Sequence, residues 1–353
     1  MDSGRWLLRS PYGFENLTYE ETSGSEPLGP EDVLVRLHAA SLNFREIYML
    51  KGAGNPKAST PIKEPLVPGS DGAGVVVETG SSVTSFKPGD KVITHLAVQV
   101  PDDAFPSMGD IGQGLGQLSD GTLRRLGSFH QTALVHMPDN LSFAEAATLT
   151  CSGLTAWNAL MGTPGRPLKS GDYVVVQGTG GVSIAALQIA VATGAIVIAT
   201  TSSDAKAERL RALGATHVVN YRTTPNWGPV ARSFTPEARG ADFIVETGGP
   251  ATLRESMAAT RANGIVALAG ASGGYEGETP NMMEVLMATV IIRGILLGTR
   301  QMMRDFVEFV HAKGIKPALD DVAFDLENAK EAFNRLDRKE HFSKVVIKIQ
   351  PDA

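Results

Sequence analysis

Cysteine is nearly absent from this chain of 353 residues: Cys151 is the only one. No internal disulfide can form, and no zinc site built from several thiolates can exist. Long apolar runs are lacking as well. The most apolar late stretch, Val285 to Leu297, is broken by Arg293 and is too short to span a bilayer. The opening residues, Met1-Asp2-Ser3-Gly4-Arg5-Trp6, carry none of the apolar segment of a signal peptide. The expectation is a soluble, cytoplasmic protein with no membrane as partner. No run of Lys or Arg stands out and the net charge is -6. Nucleic acid is therefore not expected as a partner, because binding phosphates takes a concentrated basic surface. Internal repeats are also missing.

What is present is ordinary for a globular protein: 42% hydrophobic and 20% charged residues, in a chain long enough for two domains. The first third has short strand-like runs between turn residues. Val33 to Leu37, Gly74 to Glu78 and Lys91 to Ile93 are strand candidates, with Lys87-Pro88-Gly89-Asp90 as a turn. Ser142 and Glu145 are spaced as a capping box, opening a helical pattern that runs to about Leu160. Strands and helices then alternate. Strands are expected at Tyr173–Gln177, Ile196–Thr200, His217–Asn220, Phe243–Glu246 and Ile265–Ala269. Helices are expected at Ile184–Thr193 and Ala205–Leu213. Continuous apolar strands in this rhythm predict a parallel sheet covered on both faces. A helix, Asp305–Ala312, and a strand, Lys344–Ile349, end the chain and are expected to rejoin the first domain. Leu96 to Gly127 shows little periodicity; it reads equally as a surface excursion or a substrate lid.

Gly178-Thr179-Gly180-Gly181-Val182-Ser183 follows a strand and opens a helix. Gly178 permits a tight turn, Gly180 lets backbone approach a pyrophosphate, and Gly181 and Val182 begin a helix whose N–H groups would face it. Ser183 stands where the fingerprint has its third glycine and is still small. The next strand ends Thr200-Thr201-Ser202-Ser203, without the acid that binds a ribose diol. Asp204 comes later, where it is read as the cap of the following helix. Ser202, Ser203 and Lys206 offer the donors and the positive charge that a 2′-phosphate requires, and Tyr221 can pack on the adenine or add a donor. NADPH is the expected cofactor.

Further motifs run nearly end to end: Ser41-Leu42-Asn43-Phe44-Arg45-Glu46, Pro68-Gly69-Ser70-Asp71-Gly72-Ala73-Gly74, Phe86 to Val92, Cys151 to Leu160, Leu213-Gly214-Ala215, Gly294 to Gly298 and His341 to Ile347. With them the chain resembles the medium-chain dehydrogenase/reductase superfamily, and within it the zinc-independent quinone oxidoreductase and enoyl reductase branch. The resemblance implies an α/β fold: a Rossmann-type doubly wound parallel sheet domain over 151–298, and a GroES-like β-rich catalytic domain over 1–150 and 299–353. It puts Asn43, Ser70 and Cys151 where zinc-using relatives carry their three metal ligands, so no metal is expected. It implies that Asn43 and Thr155 lie near the nicotinamide and its ribose-phosphate. Gly248, Gly249, Gly270, Ser272, Leu297 and Gly298 would line the cofactor, and Phe342 and Ser343 would close over it. Tyr48, a proton-donor candidate, falls where quinone-reducing relatives carry a tyrosine, a position equally suited to a core tyrosine. Arg124 and Arg125 replace an acidic and aromatic pair, which leaves undetermined how that edge of the cleft is built and points to an unusual substrate. Ile291 to Leu297 lies where relatives pair across a two-fold axis, which implies a homodimer. The expected activity is hydride transfer to a small-molecule conjugated carbonyl (enone, enal or enoyl) or quinone. The alternatives are a zinc-independent aldehyde or alcohol dehydrogenase, and an NADPH-binding scaffold without turnover.

Overall fold

The computed structural model describes residues 4–10, 12–21, 28–51, 61–274 and 277–351. The chain divides into two compact units, one of Met1–Leu154 with Thr299–Ala353, the other Thr155–Gly298. The first unit begins with strands β1 (Arg5–Leu8), β2 (Leu17–Glu20), β3 (Asp32–Ser41), β4 (Asp71–Thr79), β5 (Lys91–Thr94), β6 (Leu126–His130) and β7 (Leu134–His136). The second contains β8 (Tyr173–Gln177), β9 (Ile196–Thr201), β10 (His217–Asn220), β11 (Ala241–Glu246), β12 (Thr260–Leu268) and β13 (Ile291–Gly294). The chain then returns to the first unit with β14 (Leu319–Asp325) and β15 (Lys344–Lys348).

In the first unit the main sheet runs β14-β15-β3-β4-β5-β7, with β6 paired to β3. On β3, Val33, Val35 and Leu37 join a core shared with Val76, Val92, Phe129, Phe333 and Ile347. The antiparallel pairing of β15 with β3 aligns Val346 with Ser41, and Leu42 N–H donates to the Val345 carbonyl at 3.0 Å. That register brings Lys344 beside the residues leaving β3, and the β3–β4 pairing aligns Ser41 with Asp71. Three distant pieces of sequence thereby meet at one end of the sheet.

The 96–127 segment is a packed excursion. Leu96, Ala97, Ile111, Leu115 and Leu123 are buried, and a short helix, Met108–Gln113, starts on a Ser107–Asp110 capping box. Arg45 holds the segment by donating to the Leu115 carbonyl at 3.0 Å and the Gln117 side-chain oxygen at 3.2 Å. Arg124 and Arg125 both pack within the first unit. Arg124 is buried, donates to the Ser128 carbonyl at 3.0 Å and lies over the Phe129 ring. Arg125 bonds the Ile349 carbonyl and pairs with Glu327.

The capping box at Ser142 and Glu145 is present, but the helix it opens is not continuous. Phe143–Ala146 is followed by a π turn, Leu149–Gly153, and then the helix Leu154–Met161. Thr150 donates its hydroxyl to the Thr94 carbonyl at 2.8 Å and a side chain at Gly153 would meet the Phe306 ring, so the widened turn is held from two sides.

In the second unit the sheet order is β10-β9-β8-β11-β12-β13, with every pair parallel. The apolar run Val174-Val175-Val176 is fully buried, as a strand covered on both faces must be. The helices Gly181–Thr193, Asp204–Ala212, Trp227–Ser233, Leu253–Ala259 and Met282–Ala288 connect the strands. The order is that of a Rossmann sheet, which presents the carboxyl ends of β8 and β9 to a dinucleotide.

Candidate active site

The candidate residues fall in both units. In the second, β8 ends at Gln177, and Gly178 turns the chain with φ of 72°, a conformation that costs glycine little. Gly180 stands at the N-cap of the helix Gly181–Thr193, and no side chain caps it. A Cβ at Gly178 or Gly180 would meet nothing within 4 Å. The turn is therefore open beside backbone N–H groups, which suits a pyrophosphate. Ser183 is buried and donates to the Gln177 carbonyl at 2.6 Å, fixing helix to strand.

Beneath this turn lies a buried polar network that no sequence motif marks. Glu246, at the end of β11, is fully buried. Its Oε1 accepts N–H bonds from Gly248 at 2.7 Å and Gly249 at 3.0 Å, and the Thr252 hydroxyl at 2.7 Å. Its Oε2 accepts from Gln177 Nε2 at 2.6 Å and from the Ser256 hydroxyl. Gln177 Oε1 in turn accepts Thr247 N–H at 3.0 Å and Gly248 N–H at 3.1 Å. Two side chains thus shape the Thr247–Gly249 loop. Ser272 spends both its N–H, at 2.8 Å, and its hydroxyl, at 2.9 Å, on the Thr247 carbonyl, bracing the same loop. Gly270 is exposed at the end of the neighbouring segment.

Leu297 holds a φ of 57°, unusual for a branched residue. Asn158 Nδ2 fixes its carbonyl at 2.8 Å, and Arg293 fixes Asn158 through Oδ1 at 2.7 Å and the backbone carbonyl at 2.8 Å. The arginine that interrupts the apolar run is therefore a brace. Gly298 and Thr155 are buried. Ser203, not Asp204, is the N-cap of the helix Asp204–Ala212. Asp204 is the first helical residue and its carboxylate accepts from Asn220 Nδ2 at 2.9 Å, where acidic charge favours a helix start. Ser202, Ser203 and Lys206 are half-buried and Tyr221 is exposed.

In the first unit, Asn43 precedes the helix Phe44–Leu50, and the Glu46 carboxylate accepts its backbone N–H at 2.6 Å. The Asn43 side chain turns to a buried cluster. Its Oδ1 accepts from Lys344 Nζ at 2.5 Å and from the Ser152 hydroxyl at 3.2 Å, and its Nδ2 reaches Ser70 Oγ at 3.5 Å. Lys344 also donates to the Leu42 carbonyl at 2.8 Å and pairs with Asp71 at 3.2 Å. Ser70 donates to Asp71 Oδ1 at 2.7 Å and lies 3.2 Å from Glu46 Oε1. Burial pushes the Glu46 carboxyl up; Arg45 and Lys344 offset part of this and Asp71 adds to it. Tyr48 is half-buried with its ring edge-to-face on Phe44 at 5.5 Å. Phe342 and Ser343 are buried just before β15. Asp320 accepts the Phe342 N–H at 2.9 Å and is gripped by Arg335. Burial raises the Asp320 carboxyl, but these bonds outweigh it and hold it low. Ser343 follows with φ of 61°.

A catalytic zinc requires three strong donors converging on one point. Of the three relevant positions, Asn43 already spends its oxygen on Lys344 and Ser152, and Ser70 is a hydroxyl. The Cys151 residue retains some exposed surface, yet desolvation of its sulfur, with Asp71 close by, pushes the thiol up to about 12. Among the described residues no group of three or more His, Cys, Asp or Glu is arranged to hold a metal. These residues do not fit a zinc ion; the buried cation at this place is the Lys344 ammonium. The open glycine turn of the second unit does fit a dinucleotide.

Residues 29–139 match the alcohol dehydrogenase GroES-like domain family, and residues 181–312 match the zinc-binding dehydrogenase family. The chain is 40% identical to a zinc-type alcohol dehydrogenase-like protein of Schizosaccharomyces pombe over 96% of each. It is 30% identical to a crotonyl-CoA reductase of Streptomyces avermitilis, over 91% of this chain and 79% of the reductase. A crystal structure of an NAD-dependent alcohol dehydrogenase superposes with a TM-score of 0.85 at 34% identity, covering 99% of this chain and 100% of the other. The glycine turn, the GroES-like sheet and these likenesses together establish that the chain is an oxidoreductase of the medium-chain dehydrogenase/reductase superfamily.

Proposed function

We propose that the protein is an NADPH-dependent, zinc-independent reductase of an activated C=C bond or a quinone, with an enone, enal or enoyl thioester as the substrate class. One observation carries this reading: at the positions that the resemblance gives to metal ligands, the Asn43 oxygen is committed to Lys344 and Ser152, and Ser70 offers only a hydroxyl. Reduction of a carbonyl concentrates negative charge on one oxygen, which a metal commonly holds. Conjugate addition spreads that charge over an enolate, which neutral donors can support. The likeness to a crotonyl-CoA reductase agrees with it. The alcohol dehydrogenase relatives favour a second reading, aldehyde or alcohol chemistry without zinc.

With its pyrophosphate held at the glycine turn, NADPH would supply the hydride. The backbone from Gly178 to Val182 receives the pyrophosphate, and Gly248, Gly249, Gly270, Ser272, Leu297 and Gly298 shape the walls of the cofactor site. Thr155 and Asn43 would serve the nicotinamide end, and Phe342 and Ser343 would cover it. Asn43 offers an amide N–H to the substrate oxygen, and Tyr48 delivers the proton. With NADPH deuterated at the transferred position, an α,β-unsaturated ketone and a strong chelator present, the label is expected on the β-carbon of a saturated ketone. Label on the carbinol carbon of an allylic alcohol, or loss of turnover to the chelator, overturns the proposal.

For the cofactor, Lys206 with the hydroxyls of Ser202 and Ser203 would read the 2′-phosphate. Hydrogen bonds to charged groups contribute roughly 1.5–3 kcal/mol, so Lys206→Ala should weaken NADPH about tenfold or more. NADH affinity should hardly change; equal losses for both, measured by fluorescence titration, would show that this lysine does not read the phosphate.

We also place a homodimer in this reading. β13 is the edge of its sheet, and Met282, Met283, Leu286 and Met287 beside it are exposed, a combination that pairing with a second copy would cover. Among the described residues no helix is long and apolar enough to cross a membrane.

A further inference from the structure

We propose that Lys344 is a positioning residue: its ammonium fixes the orientation of the Asn43 side-chain amide, so that an N–H and not the carbonyl oxygen is offered to the substrate. The inference rests on the reading above, in which Asn43 meets a substrate oxygen that gains negative charge.

An ammonium has three N–H donors and no acceptor. Lys344 is buried and meets three acceptors: the Leu42 carbonyl at 2.8 Å, Asn43 Oδ1 at 2.5 Å and Asp71 Oδ2 at 3.2 Å. The amide of Asn43 has one acceptor end and one donor end. Turned over, it would bring its NH2 against the ammonium, donor against donor. The Ser152 hydroxyl, donating to the same Oδ1 at 3.2 Å, reinforces this orientation. The NH2 end then faces Ser70 Oγ at 3.5 Å. Among the described residues that is the one acceptor it meets, so a second N–H is left to give. The Asn43 backbone is held separately, by the Glu46 carboxylate at 2.6 Å, so Lys344 governs the side chain and not the place of the residue in the fold. A donor held in place before charge develops stabilises the transition state without reorganising. Asp71 compensates the lysine: it accepts from Ser41 at 3.2 Å and Ser70 at 2.7 Å as well as pairing with Lys344.

Two roles for the lysine can therefore be separated: neutralising Asp71, which is structural, and orienting Asn43, which is functional. Lys344→Met alone should lower the melting temperature, because Asp71 stays buried without its counter-charge. Lys344→Met combined with Asp71→Asn should recover most of the melting temperature. Its kcat should nevertheless remain about a hundredfold below the wild type, with the NADPH Kd within threefold. A double variant that regains wild-type kcat would show that the lysine only balances charge, and the proposal falls. A readout independent of turnover is the Asn43 side-chain amide resonance in ¹⁵N-labelled protein, assigned through Asn43→Asp. In the double variant its nitrogen and both proton shifts should move toward those of a solvated amide; unchanged shifts overturn the proposal. Failure of the conjugate-reduction reading shows itself separately, as label on the carbinol carbon in the wild type. The kcat comparison is scored against whatever carbonyl acceptor the wild type reduces, and the amide resonance needs none.

Discussion

Gly180→Asp is expected to abolish useful cofactor binding while leaving the fold as stable as before. Gly180 has φ of -78° and ψ of 170°, ordinary extended backbone that aspartate adopts without strain. A Cβ there would touch nothing within 4 Å. The position is an N-cap lacking a side-chain bond, and aspartate is among the best residues for that duty. By the folded state alone the substitution is neutral or slightly stabilising. For a pyrophosphate it is the reverse, since the new carboxylate occupies the helix end and takes the N–H groups that the anion needs. Losing two charge-assisted bonds of roughly 1.5–3 kcal/mol each predicts a fall in NADPH affinity of at least about a hundredfold. Titration calorimetry and thermal unfolding on one preparation test both halves. A Kd within threefold of the wild type would place the dinucleotide elsewhere; a large drop in melting temperature would mean that the glycine serves the fold.

How much of this was legible in the sequence depends on the range of the interactions. Local signals were readable. His217–Asn220 and Tyr173–Gln177 are strands with the bounds their apolar runs suggest, and Ser142 with Glu145 forms the capping box that their spacing implies. Elements whose ends depend on neighbours were less so. The pattern after Ser142 is helical throughout, yet packing of Thr150 against Thr94 and of Gly153 against Phe306 opens a π turn inside it. Asp204 and Ser203 are both acceptable caps, and the choice fell to Asn220, which bonds Asp204 from the next strand. The polar networks lie beyond local reading. Lys344 sits in a motif that marks the family, but its partners Asn43 and Asp71 are 301 and 273 positions away. Gln177 and Glu246 are 69 apart. Each belongs to a strand end, and only the sheet order makes them neighbours. One hint is local: a glutamate closing an otherwise apolar buried strand must find donors nearby, and the glycines and Thr252 that follow it are those donors.

The Glu246–Gln177 pair yields the second large effect. Glu246→Gln changes one oxygen to an NH2 group with hardly any change in volume. The three donors on one side, Gly248 N–H, Gly249 N–H and the Thr252 hydroxyl, oblige the new amide to keep its oxygen there. Its nitrogen must then face Gln177 Nε2 and Ser256. The serine hydroxyl can rotate to accept, but Gln177 cannot turn over, because its own oxygen holds Thr247 and Gly248 N–H. Two amide nitrogens are left opposed in a buried site and compete for the single Ser256 oxygen, which Gln177 Nε2 already uses at 2.6 Å. Unsatisfied buried polar groups cost about 1–3 kcal/mol each, so a loss of roughly 2–5 kcal/mol is expected. At about 2–4 °C per kcal/mol for a domain of this size, melting should fall by about 4–20 °C. The exchanged pair, Gln177→Glu with Glu246→Gln, restores every donor to an acceptor, since the carboxylate brought in by Gln177→Glu would accept from the new amide and still hold Thr247 and Gly248. It should recover most of the lost melting temperature and, with the Thr247–Gly249 loop reshaped, most of the cofactor affinity. If the exchanged pair is no more stable than Glu246→Gln alone, the hydrogen-bond pattern is not what organises this loop, and its glycines hold their shape by packing.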